Sequence, residues 1–263
     1  MIPKIIHYCW FGKKKKPKLV IKCIESWKKH LPDYKIIEWN ENNCDLSKGF
    51  TSEAYKLKKW AFVADVVRLE KLYEYGGVYL DTDMFLFKDI NDLLINYCFL
   101  GTEDDELISC GIIGTIKENI FIKCCLEEYN DIEFHKDSNL LKISMPRIVT
   151  SVFREKYNFK GCFDDIVSIG DITIYSKEFF YSFPFESRNE MNKINSFMTE
   201  NSYGVHLWSA SWIQFNEFYY FNEGKYSLGI YTFFRNFNIK KIKTSYMLKM
   251  IRSIKILKNK KTS

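Results

Sequence analysis

The segment spanning residues 60–83, WAFVADVVRLEKLYEYGGVYLDTD, contains the residue types and spacings best suited to chemistry. Asp81 and Asp83 lie one residue apart, directly after the apolar run at residues 78–80. Two carboxylates at the exit of a strand can hold a hard divalent cation, which usually keeps positions free for phosphate. The spacing alone is weak evidence, because about one such pair is expected by chance in this chain. A solvated turn is the alternative.

The residues before the acidic pair predict the elements that position it. Apolar residues recur at intervals of three and four over residues 61–75, which is typical of an amphipathic helix. Asp65 and Arg68 share one face of this helix, so they either bridge to each other or point jointly at a polar ligand. An exposed ion pair, worth well under about 1 kcal/mol, is the plain alternative. Gly76 and Gly77 then end the helix, because glycine accepts a left-handed backbone.

This arrangement resembles a known family. The pattern A-x-x-x-D-x-x-R followed by YGGVYLDTD is similar to the sugar-nucleotide-binding region of family-32 glycosyltransferases, relatives of bacterial capsular and lipooligosaccharide enzymes and of large glucosylating toxins. The resemblance covers most of residues 2–215 and is strongest over residues 54–88. It implies a GT-A fold, a Mn²⁺ or Mg²⁺ cofactor, a nucleotide-sugar donor and retention of the anomeric configuration.

The first residues of the chain predict a second part of the site. IPKIIHYCW, at residues 2–10, is typical of the first strand of a parallel sheet. Ligands bind beyond the carboxyl ends of such strands, so His7, Tyr8 and Trp10 are expected to line a nucleotide pocket. The resemblance agrees, because family members use this strand end for the base and ribose. His7 and Trp10 as plain core residues are the alternative.

The resemblance also assigns roles near residue 206, in YGVHLWSASW. Relatives have an H-x-x-x-x-S-W segment that returns over the donor. By position, His206 is the third protein ligand to the metal, with Asp81 and Asp83, and Ser211 and Trp212 grip phosphate. An imidazole joined to carboxylates suits Mn²⁺ better than an all-oxygen site does. Read in isolation, His206 would be a core residue.

Two further segments carry smaller predictions. Four acids at residues 103–106 predict a solvated loop, because like charges this close resist burial. Relatives often have a polar residue in the place of Cys110, so the local contact there is left open. Eight cysteines show neither C-x-x-C pairs nor zinc spacing and most lie among apolar residues, which predicts reduced thiols.

Length and charge set the class of protein. A chain of 263 residues suits one large α/β domain. The alternation of helix and strand, with the resemblance, predicts a GT-A-like nucleotide-binding fold, a mixed and mostly parallel sheet flanked by helices, over residues 1–236. Net charge is +6 overall and +11 over residues 224–263, so the first 223 residues carry −5. This distribution argues against a nucleic-acid-binding domain.

The last residues, 237–263, predict a basic amphipathic helix or tail. Its apolar residues recur at helical spacing between lysines and arginines, a pattern that can lie on an anionic membrane surface. A terminal helix packed on the body is the alternative. With neither a signal peptide nor an apolar run of about 20 residues, the protein is expected in the cytoplasm, in peripheral contact with the inner face of the cell membrane.

These features together predict a metal-dependent retaining transferase. It would move a hexose, galactose by family habit, from a UDP-sugar to a hydroxyl of a glycan or lipid-linked oligosaccharide. Asp83 and His206 would hold the metal, and Asp81 would contribute through water or bind the donor ribose. Asp65 and Arg68 would bind the sugar hydroxyls, and the catalytic set is Asp65, Arg68, Asp81 and Asp83. A HAD-like aspartyl phosphatase and a non-catalytic glycan-binding module are the alternatives. Phe85 and the position of the motif beyond the first strand argue against the phosphatase.

Overall fold

A computed structural model describes residues 1–135, 138, 140, 142–209, 217–222, 224–235 and 246 of the chain. The chain forms two compact units, Met1–Ser209 and Ala210–Ser263. The domain boundary predicted from the sequence, after residue 236, and the tail that follows it lie outside the described residues, apart from Tyr246. Both therefore stay predictions.

The described strands all belong to the first unit. They are β1 (Ile5–Cys9), β2 (Lys35–Trp39), β3 (Gly77–Leu80), β4 (Met84–Leu86), β5 (Cys98–Thr102), β6 (Ile108–Thr115), β7 (Val167–Ile169), β8 (Ile172–Tyr175) and β9 (Gly204–His206). Seven of these strands form one sheet in the order β2-β1-β3-β6-β5-β8-β7, and β4 pairs with β9 in a separate two-stranded ribbon.

Helices connect these strands and cover the sheet. In the first unit they are α1 (Lys18–His30), α2 (Gly49–Lys56), α3 (Trp60–Tyr75), α4 (Ile120–Glu127), α5 (Met145–Tyr157) and α6 (Lys177–Phe180). Short 3₁₀ turns occur at Asn91–Ile95, Glu128–Asn130, Phe185–Ser187 and Met191–Phe197. The second unit contains α7 (Glu217–Asn222) and α8 (Tyr226–Arg235). Within the described part of the chain, none of the helices combines the length and the apolar character needed to cross a membrane.

The direction of the strands confirms the predicted mixed, mostly parallel sheet. β2, β1 and β3 are mutually parallel, and β5 and β8 are parallel to each other. β6 is antiparallel to both β3 and β5, so these five strands share one direction. β6 and β7 run the opposite way. The carboxyl ends of five strands therefore meet at one edge of the sheet, where ligands bind in folds of this class.

The core has two layers because successive residues of a strand point to opposite faces. Val78 and Leu80 lie in one cluster together with Cys23 and Trp27 of α1. Tyr79, between them, lies in the other cluster, which contains the apolar residues of α3. β3 is buried on both faces, as its apolar sequence predicts.

Helix α3 differs from the amphipathic helix expected over residues 61–75. Every residue from 62 to 69 is buried, including both charged ones, and exposed positions begin only in its last turns. The helix runs through the interior between β3, β6 and α4, so its polar residues need partners inside the protein.

Gly76 ends α3 as predicted, and its N–H donates to the carbonyl of Leu72. It has φ +63° and ψ −167°, a region that is essentially restricted to glycine. A Cβ at Gly76 would lie 2.6 Å from the amide nitrogen of Lys117, so both the backbone angles and the space require glycine.

We expect Gly76→Ala to lower the free energy of unfolding by about 3 kcal/mol, through backbone strain and the clash with residue 117. Gly49→Ala is the matched control, because Gly49 has φ +49° and a Cβ added there would meet no atom within 4 Å. The control should cost roughly 1 kcal/mol from the left-handed backbone alone. Urea unfolding measures both values, and equal losses would contradict the assigned clash.

Candidate metal and donor site

The β4–β9 ribbon brings distant residues together at the end of β3. Asp81 and Asp83 follow β3, and the chain then enters β4, where Met84 pairs with His206 of β9. The amide of Leu207 donates to the carbonyl of Asp83 at 2.9 Å, which extends this pairing by one residue. His206 therefore lies beside Asp83, although 123 residues separate them in the printed sequence.

Helix α1 fixes the ribbon on the body of the unit. The indole nitrogen of Trp27 donates to the carbonyl of Met84 at 2.7 Å. The hydroxyl of Ser26 accepts from the amide of Leu86 at 3.0 Å and donates to the carbonyl of Cys23 at 2.6 Å. These contacts occupy backbone groups that would otherwise face the core without partners.

Asp81, Asp83 and His206 form a compact group. One ligand atom from each side chain lies within 4.8 Å of the other two. His206 Nε2 is 3.1 Å from Asp83 Oδ1, and the amide of Ser209 donates to Asp83 Oδ2 at 2.7 Å. The structure thus brings together the three residues predicted as metal ligands.

Electrostatics couple Asp83 to His206. Burial alone would raise the pKa of Asp83, but the adjacent His206 and the hydrogen bonds from Ser209 outweigh it and lower that pKa. Burial alone would likewise lower the pKa of His206, but Asp83, with smaller contributions from Asp81 and Glu103, raises it. Without a metal, the pair is therefore stabilised as a carboxylate and an imidazolium.

The group fits a divalent cation. It offers two carboxylates and one imidazole, a donor set suited to Mn²⁺ and tolerable for Mg²⁺. His206 Nδ1 is buried and has no hydrogen-bond partner among the described residues, so the ring is not committed at both nitrogens. Gly111 leaves space beside the group, because a Cβ there would lie 3.3 Å from the His206 ring and 3.4 Å from Asp81 Oδ2.

Asp65 and Arg68 lie next to this group as a buried pair. Arg68 Nη2 is 3.0 Å from Asp65 Oδ1 and 3.3 Å from Asp81 Oδ1. Only 6% of the Arg68 side chain and 11% of the Asp65 side chain are exposed, which excludes the exposed helical ion pair. Burial raises the pKa of Asp65 to about 7, and Arg68 limits the rise.

Arg68 has further partners that fix its orientation. Its Nη1 donates to the carbonyl of Cys110 at 2.7 Å, and its guanidinium lies 4.3 Å from the centre of the Tyr79 ring. The Tyr79 hydroxyl donates to Asp81 Oδ1 at 3.0 Å. Relatives often have a polar side chain at the position of Cys110. In this protein the backbone carbonyl of Cys110, and not its side chain, accepts the hydrogen bond from Arg68. The Arg68 guanidinium therefore connects α3, β3 and β6 next to Asp81.

The residues predicted at the end of β1 have three different environments. His7 is fully buried; Trp39 donates to its Nδ1 at 3.0 Å, and its Nε2 donates to the carbonyl of Gly76 at 2.8 Å. Burial lowers the pKa of His7 to about 4, so the ring is neutral. With both nitrogens occupied inside the protein, His7 favours the core interpretation, and its donor-binding role stays a prediction.

Tyr8 and Trp10 take part in contacts around a lysine. The Tyr8 hydroxyl donates to Glu38 Oε2 at 2.6 Å, and Lys16 forms an ion pair with the same carboxylate oxygen at 2.6 Å. The ammonium of Lys16 lies 5.8 Å from the centre of the half-buried Trp10 ring. The loop that follows β1 thus carries an aromatic ring and a cation on the β1 side of Asp81.

A cleft of about 520 Å³ opens in the same region and contains three lysines. Its lining is Gly12, Lys13, Lys14, Glu41, Tyr55, Lys58 and Trp60. Asp81, Asp83 and His206, which we call the metal group, do not line this cleft. It lies at the loops after β1 and β2 and before α3, on the side where the sequence analysis predicts the nucleotide.

Two residues of the predicted site, Ser211 and Trp212, lie outside the described residues. Trp208, which the sequence analysis did not single out, has φ +51°, an uncommon value for a tryptophan. Its ring centre lies 4.3 Å from that of His206, and its Nε1 donates to the carbonyl of Phe183 at 2.6 Å. The aromatic run around His206 was a signal for this contact, but the backbone angle could not be read from it.

Comparison with known proteins finds relatives of the segment that contains Asp65, Arg68, Asp81 and Asp83. The family described as glycosyltransferase sugar-binding region containing DXD motif matches residues 17–100. Human lactosylceramide 4-alpha-galactosyltransferase is 22% identical over 152 residues, 56% of this chain and 41% of that protein. Inositol phosphoceramide mannosyltransferase 3 of Schizosaccharomyces pombe is 29% identical over 133 residues, 46% of this chain and 35% of that protein.

A solved structure of similar architecture is the PaToxG glycosyltransferase. It has a TM-score of 0.48 and 17% identity, covering 60% of this chain and 70% of that one. The chain spans about two fifths of the length of the human relative. The family match contains Asp65, Arg68, Asp81 and Asp83, and confirms the resemblance seen in the motifs. Residues 17–100 of this chain thus match the glycosyltransferase sugar-binding region that contains the DXD motif.

Proposed function

We propose that this protein is a metal-dependent, retaining glycosyltransferase that moves a hexose from a UDP-sugar to a hydroxyl of a surface glycan. The observation that carries the proposal is the convergence of Asp81, Asp83 and His206 beside the buried pair Asp65 and Arg68. A nucleotide-sugar transferase needs a charge-neutralising centre for the departing diphosphate adjacent to groups that orient the sugar, and these five side chains meet both needs.

A divalent cation held by Asp83, His206 and Asp81 would supply Lewis-acid stabilisation to the diphosphate leaving group. The protein's part is to keep these ligands ready to bind. The Ser209 amide orients Asp83, and Tyr79 and Arg68 orient Asp81, each through the contacts described above. Such supporting contacts fix ligand geometry before the metal arrives.

Asp65 and Arg68 are proposed to bind and orient the donor sugar. Arg68 is almost fully enclosed by protein partners, so its main contribution is to hold Asp65 and Asp81 at fixed positions. The Asp65 carboxyl would accept hydrogen bonds from sugar hydroxyls. Trp10, Tyr8 and the lysine-lined cleft lie at the ends of the strands proposed to receive the nucleotide. Ser211 and Trp212 are proposed to hold phosphate.

The type of sugar and the stereochemistry are supported by relatedness alone. The named relatives include a galactosyltransferase and a mannosyltransferase, so hexose transfer is proposed, with galactose first. Retention follows from the resemblance. No side chain is assigned as a covalent nucleophile, and we propose that the acceptor attacks on the face from which the diphosphate leaves.

The two alternative functions make different demands on the site. The phosphatase would carry its acidic pair after the first strand, whereas Asp81 and Asp83 follow β3, the third strand along the chain. A glycan-binding module would bind sugar without metal and without a nucleotide. The buried Asp83–His206 pair favours the transferase, because a binding module gains nothing from enclosing a metal-ligand set.

The acceptor is proposed to lie at a membrane. Both relatives are named for transfer to ceramide lipids, and residues 224–263 of this chain carry eleven basic residues and no acidic ones. Such a segment is attracted to anionic lipid. We therefore propose a cytoplasmic protein whose residues 237–263 contact the inner face of the cell membrane.

In a donor panel, the protein with Mn²⁺ should hydrolyse one UDP-hexose in preference to other nucleotide sugars. Asp83→Ala should lose at least about 100-fold of this activity, because it removes a metal ligand. The exposed Asp164, changed to Ala, is the matched control and should retain full activity. Release of UDP measures all three proteins. If no nucleotide sugar turns over, with or without metal, the binding-module function is favoured.

The affinity for Mn²⁺ should fall as the pH is lowered from about 8 to about 6. The pKa of His206 is raised above its ordinary value, so protons begin to compete with metal closer to neutral pH than at an ordinary histidine. The lowered pKa of Asp83 keeps its carboxylate ionised throughout. Below the His206 pKa, affinity should fall up to about tenfold per pH unit. His206→Gln should bind more weakly and lose this dependence.

Calorimetry in buffers of different ionisation enthalpy measures the proton released with each metal bound. An affinity that does not change between these pH values would show that His206 is not a ligand.

Replacing Lys255, Lys258, Lys260 and Lys261 with glutamine should weaken binding to phosphatidylserine-containing vesicles by about 100- to 1,000-fold, since each lost charge removes about 1 kcal/mol. The same change at residues 13–16, another four-lysine run, is the control and should leave vesicle binding unchanged. Vesicle sedimentation measures both. Equal binding to neutral phosphatidylcholine vesicles would contradict an electrostatic attachment.

A further inference from the structure

A further carboxylate lies at the edge of the sheet that carries the metal group. β5 runs in the same direction as β3, so Glu103, which follows β5, emerges at the same edge as Asp81. β6 lies between the two strands and links them. Ser109 of β6 is opposite Gly101, and the carbonyl of Gly111, two residues on, accepts from the amide of Asp81 at 2.8 Å.

Glu103 does not lie in the solvated loop expected for residues 103–106. It is partly buried, follows the strand position that pairs with Ser109 by two residues, and interacts electrostatically with His206. Burial raises its pKa, and His206 opposes the rise. Among the described residues, neither lysine nor arginine forms an ion pair with it. A partly buried carboxylate without a lysine or arginine partner costs stability unless it serves a ligand.

The other three acidic residues of this segment, Asp104, Asp105 and Glu106, lie in a solvent-exposed turn. Asp104 Oδ1 accepts from the amides of Glu106 and Leu107 at 2.8 and 2.7 Å. Asp105 pairs with Lys177 at 3.2 Å, and both side chains are more than half exposed. Glu106 is exposed. These three behave as the sequence predicts, so Glu103 differs from its neighbours in its environment.

The order of the strands separates two sides of the metal group. β1 and β2, whose ends carry Trp10 and the lysine-lined cleft, lie on one side of β3. β6 and β5, with Ser109 and Glu103, lie on the other. A donor whose nucleotide lies over β1 and whose diphosphate lies at the metal group presents its sugar toward β6. A hydroxyl that attacks this sugar must therefore be held on the side of Glu103 and Ser109.

Tyr181 forms a wall of this region. The amide of Ile112 donates to its hydroxyl at 3.2 Å, and its ring centre lies 5.7 Å from that of His206. A Cβ at Gly111 would lie 3.0 Å from the Tyr181 hydroxyl, so glycine keeps the space between Tyr181 and Asp81 clear. The wall is rigid, because these residues are buried in β6 and beside it.

From this placement we infer that Glu103 binds a hydroxyl of the acceptor sugar next to the metal group. The inference rests on the proposed transferase function. Glu103 accepts a hydrogen bond from the hydroxyl and orients its oxygen, and no bond forms to the Glu103 carboxylate. An ionised carboxylate makes a shorter and stronger hydrogen bond to a hydroxyl than a neutral amide does, which makes glutamate suited to this position.

The test compares Glu103→Gln with Glu106→Gln, the same change at the exposed acid three residues away. At saturating Mn²⁺, UDP-hexose hydrolysis without an acceptor should stay within about twofold of the wild-type rate in both variants. Transfer to methyl β-lactoside, and to glycerol as a general alcohol acceptor, should fall about 10- to 100-fold in Glu103→Gln, through the acceptor KM. Glu106→Gln should transfer like the wild type. Glu103→Asp should recover part of the loss.

Other results overturn the assignment. If Glu103→Gln lowers hydrolysis and transfer by the same factor at saturating Mn²⁺, Glu103 serves the donor or the metal ligands instead. If transfer is unchanged, Glu103 does not bind the acceptor. A wild-type protein that consumes no nucleotide sugar overturns the transferase function itself, and this result is distinguishable because it appears before any variant is compared.

Discussion

The site depends on the buried guanidinium of Arg68. Enclosing a cation is costly, and removing one partner of a buried ion pair typically costs about 3–5 kcal/mol. Arg68 is tolerated because it meets Asp65, Asp81, the Cys110 carbonyl and the face of Tyr79 at once. These partners lie on α3, β3 and β6, so one side chain fixes three elements relative to each other. The acidic pair after β3 takes its position from this contact.

The ribbon of β4 and β9 supplies the second constraint. It carries the chain away from the main sheet directly after Asp83 and returns it with His206 at the same level. α1 holds the ribbon through Trp27 and Ser26. A metal group assembled in this way draws on both β3 and the chain near residue 206, and its formation therefore requires most of the first unit to be folded.

The pKa values of two buried carboxyls of the site are shifted in opposite directions, although burial raises both. Asp83 has a cationic partner and two hydrogen bonds from residue 209, so its pKa is lowered despite burial. Asp65 shares its cation with Asp81, and burial raises its pKa to about 7. Environments that separate the pKa values of two carboxyls in one site suit them to different tasks. Here the separation suits metal binding by Asp83 and contact with sugar hydroxyls by Asp65.

The local elements, and the resemblance to DXD glycosyltransferases, can be predicted from the amino-acid sequence alone. The strand at residues 77–80, the glycine stop at Gly76 and the acidic pair follow from apolar spacing and backbone preference, which act over a few residues. His206 was found only through the resemblance. The burial of the Asp65–Arg68 pair is a result of the tertiary structure. So is the partly buried position of Glu103, which interacts with His206 although the sequence predicts a solvated loop. Residue spacing could not predict these outcomes, because burial and pKa depend on which strands become neighbours, and contacts between residues far apart in the chain set that order.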